Sequence, residues 1–199
     1  MNGQIHRAAS TKQAVARRHV AIASGLRQGE LLGLRWDDVD LTAGTLTVRR
    51  ALQRVAGTLT LVEPKTEKPQ RTFNLPASAV AVLRVHRTRQ LEHRLLAGSR
   101  LQDWGLVFPS ELGTPLDATN VTHRFRAMLK REGLPRQRFH DLRHYCASLM
   151  LAQHVPARVV VDVLGHSQIS LTMNTYSHVM PAMHRAAADR LDALLTGDP

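Results

Sequence analysis

The apolar positions follow a helical period at the two ends of the chain and a period of two near its middle. Val15 to Ser24 and Glu30 to Leu34 read as helical pieces joined through Gly25 and Gly29, with Arg27 on the connection between them. Thr45-Leu46-Thr47-Val48 and Thr58-Leu59-Thr60-Leu61 alternate with period two, and Thr72-Phe73-Asn74-Leu75 follows. These three runs predict a three-stranded antiparallel meander, with Lys65 at the mouth of the turn after its second strand. A long helix is expected from Ala77 to Ala97, with Val80, Leu83, Leu91 and Leu95 as its apolar positions among arginines. Trp104 to Ser110 reads as a short apolar link. Asp117 is placed to cap a helix reaching Arg131. Helices over 140–152, 157–164 and 181–195 complete a mainly α fold with one small sheet. Residues 1–11 show no helical period, and there is no internal repeat or low-complexity stretch.

Composition then narrows the partner. The formal net charge is +11, and of the 27 Lys and Arg residues only Lys12, Lys65, Lys68 and Lys130 are lysine. Arginine grips phosphate bidentately and keeps its charge at all accessible pH, so the balance suits a polyanion better than a metabolite. The bland reading is an arginine-rich surface that reports base composition alone. Cys146 is the only cysteine, which rules out an internal disulfide and a zinc site built on several thiolates. No apolar run approaches the roughly 20 residues that span a bilayer, and no signal peptide opens the chain, so a soluble cytoplasmic protein is the simplest expectation.

Six residues able to handle a phosphodiester occur in order: Arg27 in Gly25-Leu26-Arg27-Gln28-Gly29-Glu30, Lys65 in Pro64-Lys65-Thr66, His140 and Arg143 in His140-Asp141-Leu142-Arg143, His166 after Leu164-Gly165, and Tyr176 in Asn174-Thr175-Tyr176-Ser177. With the flanking Leu31-Leu32-Gly33-Leu34-Arg35-Trp36, this set resembles the tyrosine recombinases, the phage-integrase family of DNA strand-exchange enzymes, from about Ala21 to the C-terminus.

That resemblance implies cleavage and rejoining of a DNA strand without metal or cofactor, through a 3′-phosphotyrosyl link. A phenol can hold the phosphate covalently and conserve the bond for religation. Tyr176 would be the nucleophile, His140 the base that takes its proton, and Lys65 the acid that protonates the leaving 5′ oxygen. Arg27 and Arg143 would neutralise charge on the non-bridging oxygens, and His166 would add a hydrogen bond. Glu30 matches the family's acidic position and would orient the catalytic groups. Lys68 and Arg71, beside Lys65, are further candidates for DNA contact, and Lys68 also competes for the role of Lys65.

Rival readings attach to several of these residues. His140 and His144, one helical turn apart, could suggest zinc, but Asp141 stands where a metalloprotease motif has glutamate, and Arg143 would place a positive charge beside the metal. Asp37, Asp38 and Asp40 could suggest a magnesium cluster; beside Trp36 and before a strand they fit a turn with a helix cap. Tyr145 is the other tyrosine and could compete with Tyr176.

Residues 1–199 read as a single catalytic domain. Its first 12 residues are atypical for the family, its opening helix is expected to be shortened or replaced, and the family's N-terminal core-binding domain is expected to be absent. The resemblance implies double-stranded DNA as partner, a monomer in solution and a tetramer on two DNA sites. The helix and tail over 181–199, with Met183, Ala187, Leu191, Leu194 and Leu195 roughly on one face, would dock on a neighbouring subunit. The alternatives are a truncated remnant that binds DNA without cleaving it, and a relaxing activity of the topoisomerase kind.

Overall fold

The structure is a computed structural model that describes residues 2–63 and 70–165, together with Ala188, Asp189, Leu191 and Asp192. The chain opens with α1 (Asn2–Ser24), a full 23-residue helix where a shortened or replaced one was expected. Gln4, Arg7, Ala8, Ala9 and Lys12 are good helix formers without an apolar stripe. Once Val15 to Ser24 is nucleated by packing, extending the helix backwards through them costs little. Helix α2 (Gln28–Leu32) follows the break at Gly25 to Arg27, and a 3-10 turn over Trp36–Asp38 ends that region. In this turn Asp38 accepts the Arg35 backbone N–H and pairs with Arg49 and Arg50, while Asp40 accepts the N–H groups of Thr42 and Ala43. The aspartates are thus employed as the expected turn and cap.

The sheet differs from the expected meander. Strands β1 (Val39–Asp40), β2 (Thr45–Val48) and β5 (Arg71–Asn74) form one three-stranded antiparallel sheet in the order β1-β2-β5. Strands β3 (Ala51–Val55) and β4 (Thr58–Val62) form a separate hairpin around the two-residue turn Ala56–Gly57. The first and third expected strands therefore pair directly, Leu46 opposite Phe73 and Thr47 opposite Thr72, with the two threonine hydroxyls 2.8 Å apart. The second pairs with β3, whose Gln53, Arg54 and Val55 are all exposed. Leu52 is the one buried residue of β3, so no alternation of buried and exposed positions runs along the strand to be read as a period of two.

The remaining helices lie where the pattern placed them: α3 (Ala77–Ala97), α4 (Ala118–Arg131), α5 (Asp141–Ala152) and α6 (Ala157–Leu164). Asp117 caps α4 by accepting the N–H groups of Thr119 and Asn120 at 2.7 and 3.2 Å. Of the apolar positions on α3, Leu83 is fully buried and Val80 half-buried, whereas Leu91 and Leu95 are exposed. The buried face instead carries Ala79 and His86, whose Nε2 lies 2.6 Å from the Val107 carbonyl while its ring stacks on Phe108. Of the expected 181–195 helix, the four described residues are helical.

Two apolar clusters result among the described residues. The larger joins α1, α2, the three-stranded sheet, α3 and α4 through Val20, Leu31, Leu32, Leu46, Leu83 and Phe108. The smaller joins α5 and α6 through Ala147, Leu151, Val160 and Leu164. The break after α1 bridges them, because Gly25 packs directly on the side chains of Leu164 and Cys146. Burial pushes the Cys146 thiol up to about 11, so it acts as a small core residue and not as a nucleophile. Among the described residues no helix is long and apolar enough to cross a membrane.

Candidate active site

Three helix ends and one strand meet at Gly25 to Glu30. Arg27 sits at the N-cap position of α2 with an extended backbone (φ −62°, ψ 149°), so its side chain leaves the helix axis. Its backbone N–H donates to Glu30 Oε2 at 2.9 Å, the returning half of a capping box. Its guanidinium donates from Nη1 to Glu30 Oε1 and from Nη2 to the Gly165 carbonyl, each at 3.0 Å. The Arg27 side chain remains 47% exposed while that of Glu30 is 5% exposed. A fixed base and an open tip suit a side chain meant to meet a ligand.

Arg71, on β5, holds the other side of Glu30. Its Nη1 and Nη2 reach Oε1 and Oε2 at 3.1 and 2.7 Å, and its Nε donates to the Val163 carbonyl at 3.0 Å. The planar guanidinium matches the carboxylate with two parallel bonds. Burial alone would raise the Glu30 pKa, but the hydrogen bonds and charges of Arg71 and Arg27 outweigh it and hold the carboxyl below its usual range. Glu30 is therefore ionised at neutral pH.

Gly165 closes the α6 end of this cluster. It takes the left-handed conformation (φ +67°) that ends a helix, and a Cβ there would stand 2.8 Å from Nη1 of Arg71. Only glycine permits both the cap and the close approach of the guanidinium.

Arg143 comes from the first turn of α5 and is buried. Its Nη1 donates to the Gly25 carbonyl at 2.7 Å. Arg143 is thus fastened to Gly25 and Arg27 to Gly165, the residue after the Leu164 on which Gly25 packs. His140 occupies the N-cap position of α5, one helical turn before Arg143 and about 4.5 Å along the axis, without a side-chain cap bond. Its ring lies edge-on to His144, with centroids 5.1 Å apart. Partial burial, then the neighbouring His144 and Arg143, lower its pKa. His140 is neutral at pH 7 and free to accept a proton.

The structure therefore brings together Arg27, Glu30, Arg71 and Arg143, with His140 at the start of the helix that carries Arg143. Lys65, Lys68, His166 and Tyr176 lie outside the described residues. Tyr145, the other tyrosine, is 55% exposed on α5. Among the described residues no three His, Cys, Asp or Glu side chains gather as a metal site. Sequence reasoning missed the pairing of Arg71 with Glu30 and the part played by the Val163 and Gly165 carbonyls. A signal for the first was present: Arg71 stands two residues before Phe73, so an alternating strand puts both on the same, covered face.

Known proteins resemble this chain in sequence and in fold. The phage integrase family model matches residues 4–183. A tyrosine recombinase XerC-like protein of Caldanaerobacter subterraneus subsp. tengcongensis is 39% identical over 191 residues, covering 88% of this chain and 48% of its own. An integrase of Streptomyces ambofaciens is 34% identical over 196 residues, covering 90% and 48% respectively. The chain thus spans about half the length of the curated relatives it matches. In fold it is similar to the Tn1549 transposon integrase, solved in complex with transposon right-end DNA, with a TM-score of 0.75 at 22% identity over 89% of this chain and 58% of that one. It is also similar to the XerH site-specific recombinase bound to its difH substrate, with a TM-score of 0.67 at 20% identity over 91% and 46%. By sequence and by fold, this chain belongs to the phage integrase family, the tyrosine recombinases.

Proposed function

We propose that this chain is the catalytic part of a site-specific recombinase that breaks and rejoins double-stranded DNA through Tyr176. The observation that carries the reading is the pair of arginines fastened to the backbone at one helix junction, Arg27 with an open tip and Arg143 buried. Two guanidiniums held in this way can take the charge that builds on the non-bridging oxygens of a five-coordinate phosphorus. Each preorganised donor of this kind lowers the barrier by about 2.7–4 kcal/mol.

In the reaction proposed, the Tyr176 oxygen attacks phosphorus as its proton passes to His140. The bond from phosphorus to the 5′ oxygen breaks, and that oxygen takes a proton from Lys65. The 3′ end stays linked to the tyrosine, and a 5′ hydroxyl attacks in the reverse sense to reseal a strand. His166 donates to a phosphate oxygen. The neutral state of His140 at pH 7 supports its role as base. Lys65, His166 and Tyr176 enter from their places in the sequence motifs.

The partner is duplex DNA, in keeping with the net charge of +11 and with the DNA bound by the similar Tn1549 integrase and XerH recombinase. Assembly is as a tetramer on two sites, from a monomer in solution, and the setting is the cytoplasm, where the DNA of a mobile element is at hand.

The deciding experiment mixes the protein in chelator with supercoiled plasmid or a nicked duplex, and looks for a protein–DNA adduct on a denaturing gel. An adduct lost in Tyr176→Phe and kept in Tyr145→Phe is the expected result. Salt-sensitive DNA binding with no adduct from the unaltered chain would sink the cleavage reading and leave a DNA-binding remnant.

A further inference from the structure

Arg71 has no step in the reaction above, yet its side chain makes three hydrogen bonds within the cluster. All three of its guanidinium nitrogens are engaged with the protein, two on Glu30 and one on the Val163 carbonyl, and only 17% of the side chain is exposed. It reaches across from β5 to both α2 and the end of α6, elements that are far apart in sequence.

The charges give this bridge a purpose. Glu30 contacts Arg27 and Arg71 at once. Without Arg71, the buried carboxylate and Arg27 would form a neutral pair, and Arg27 would meet a phosphate with its charge already answered. With Arg71 present, the three side chains together keep one net positive charge. Arg71 also fixes the plane of the carboxylate, whose two oxygens in turn hold the backbone and the guanidinium of Arg27. The α6 end is held by the same pair, Arg71 through Val163 and Arg27 through Gly165, immediately before His166.

We propose that Arg71 is a positioning residue: by clamping Glu30 and the end of α6 it aims Arg27 and leaves the cluster positively charged toward the scissile phosphate, without itself touching DNA. The proposal rests on the reading of Arg27 as a phosphate-binding arginine. It replaces the expectation from sequence that Arg71 contacts DNA directly.

The test uses the full chain with Arg71→Gln, Arg71→Lys, Glu30→Gln and the double variant Glu30→Gln/Arg71→Gln. At saturating nicked duplex, Arg71→Gln is expected to slow adduct formation by about 10- to 100-fold while leaving the DNA Kd and its salt slope within about twofold of the unaltered protein. Arg71→Lys should recover part of the rate, since an ammonium restores the charge but not the two-point grip. If Arg71 acts through Glu30, adding Arg71→Gln to Glu30→Gln should change the rate by less than about twofold. A weaker Kd, a salt slope smaller by about one and an unchanged rate at saturation would instead make Arg71 a phosphate contact and overturn the proposal.

A second measurement needs no DNA and separates the two readings. In the free protein the Arg27 backbone N–H, which donates to Glu30 Oε2, should exchange with water markedly faster in Arg71→Gln and Arg71→Lys than in the unaltered chain, as followed by nitrogen-15 NMR. If the unaltered protein never forms an adduct, the recombinase reading fails, and this exchange rate still decides on Arg71. Equal rates in all three proteins would show that Arg71 does not hold Arg27.

Discussion

Arg27 and Arg143 have the same proposed role but different structural positions, and this separates their mutants. Arg27 is half exposed and leans on Glu30, which Arg71 also holds. Arg143 is buried and donates to the Gly25 carbonyl between two apolar clusters. Arg27→Ala should therefore cost on the order of a hundredfold or more in adduct formation with little change in Tm. Arg143→Ala should match that loss and also destabilise the fold by about 1–3 kcal/mol, because a carbonyl at a packed junction loses its donor. Thermal unfolding of both variants beside the adduct assay checks this, and equal Tm losses would contradict it.

The elements show how far local pattern reaches. Helices α3, α4 and α6 could be bounded from sequence because their signals are local: a side-chain cap at Asp117, prolines at 76 and 156 opening two helices, and a glycine at 165 closing one. The sheet could not be read in the same way. The hairpin strand β3 exposes Gln53, Arg54 and Val55 and so carries no alternating pattern, and period alone sets β4 between β2 and β5, which in the structure pair with each other. The site divides similarly. Arg27, His140 and Arg143 stand in short motifs, whereas the contact between Glu30 and Arg71 spans 41 residues and depends on how a strand approaches a helix. The tight point of that approach is the end of α6. Gly165→Ala should strain the left-handed cap and push on the Arg71 guanidinium, which lies 2.8 Å from the added carbon. A loss of about 1–3 kcal/mol in chemical denaturation is expected, and a neutral result would mean the cap can relax.

For the whole molecule, the buried carboxylate ties stability to acidity. Glu30 has a pKa in the folded chain below its ordinary value near 4.5, so the unfolded chain binds the proton more readily. Its stabilisation is complete above that value and is lost as the pH falls through the lower, folded one. Urea unfolding followed from pH 7 to pH 3 should show stability falling below about pH 4.5, and Glu30→Gln should be weaker at pH 7 with a shallower fall. Identical pH slopes in the two proteins would mean that other carboxylates set the response. The larger lesson of the clasp concerns inheritance. Positions 30, 71 and 165 serve one another before they serve any substrate, so none of the three can drift alone without cost. A lineage released from strand exchange could lose Tyr176 in a single step and keep its fold, whereas the clasp would have to be dismantled in concert. Decayed relatives of this chain should therefore keep the acid, the strand arginine and the glycine long after the nucleophile has gone.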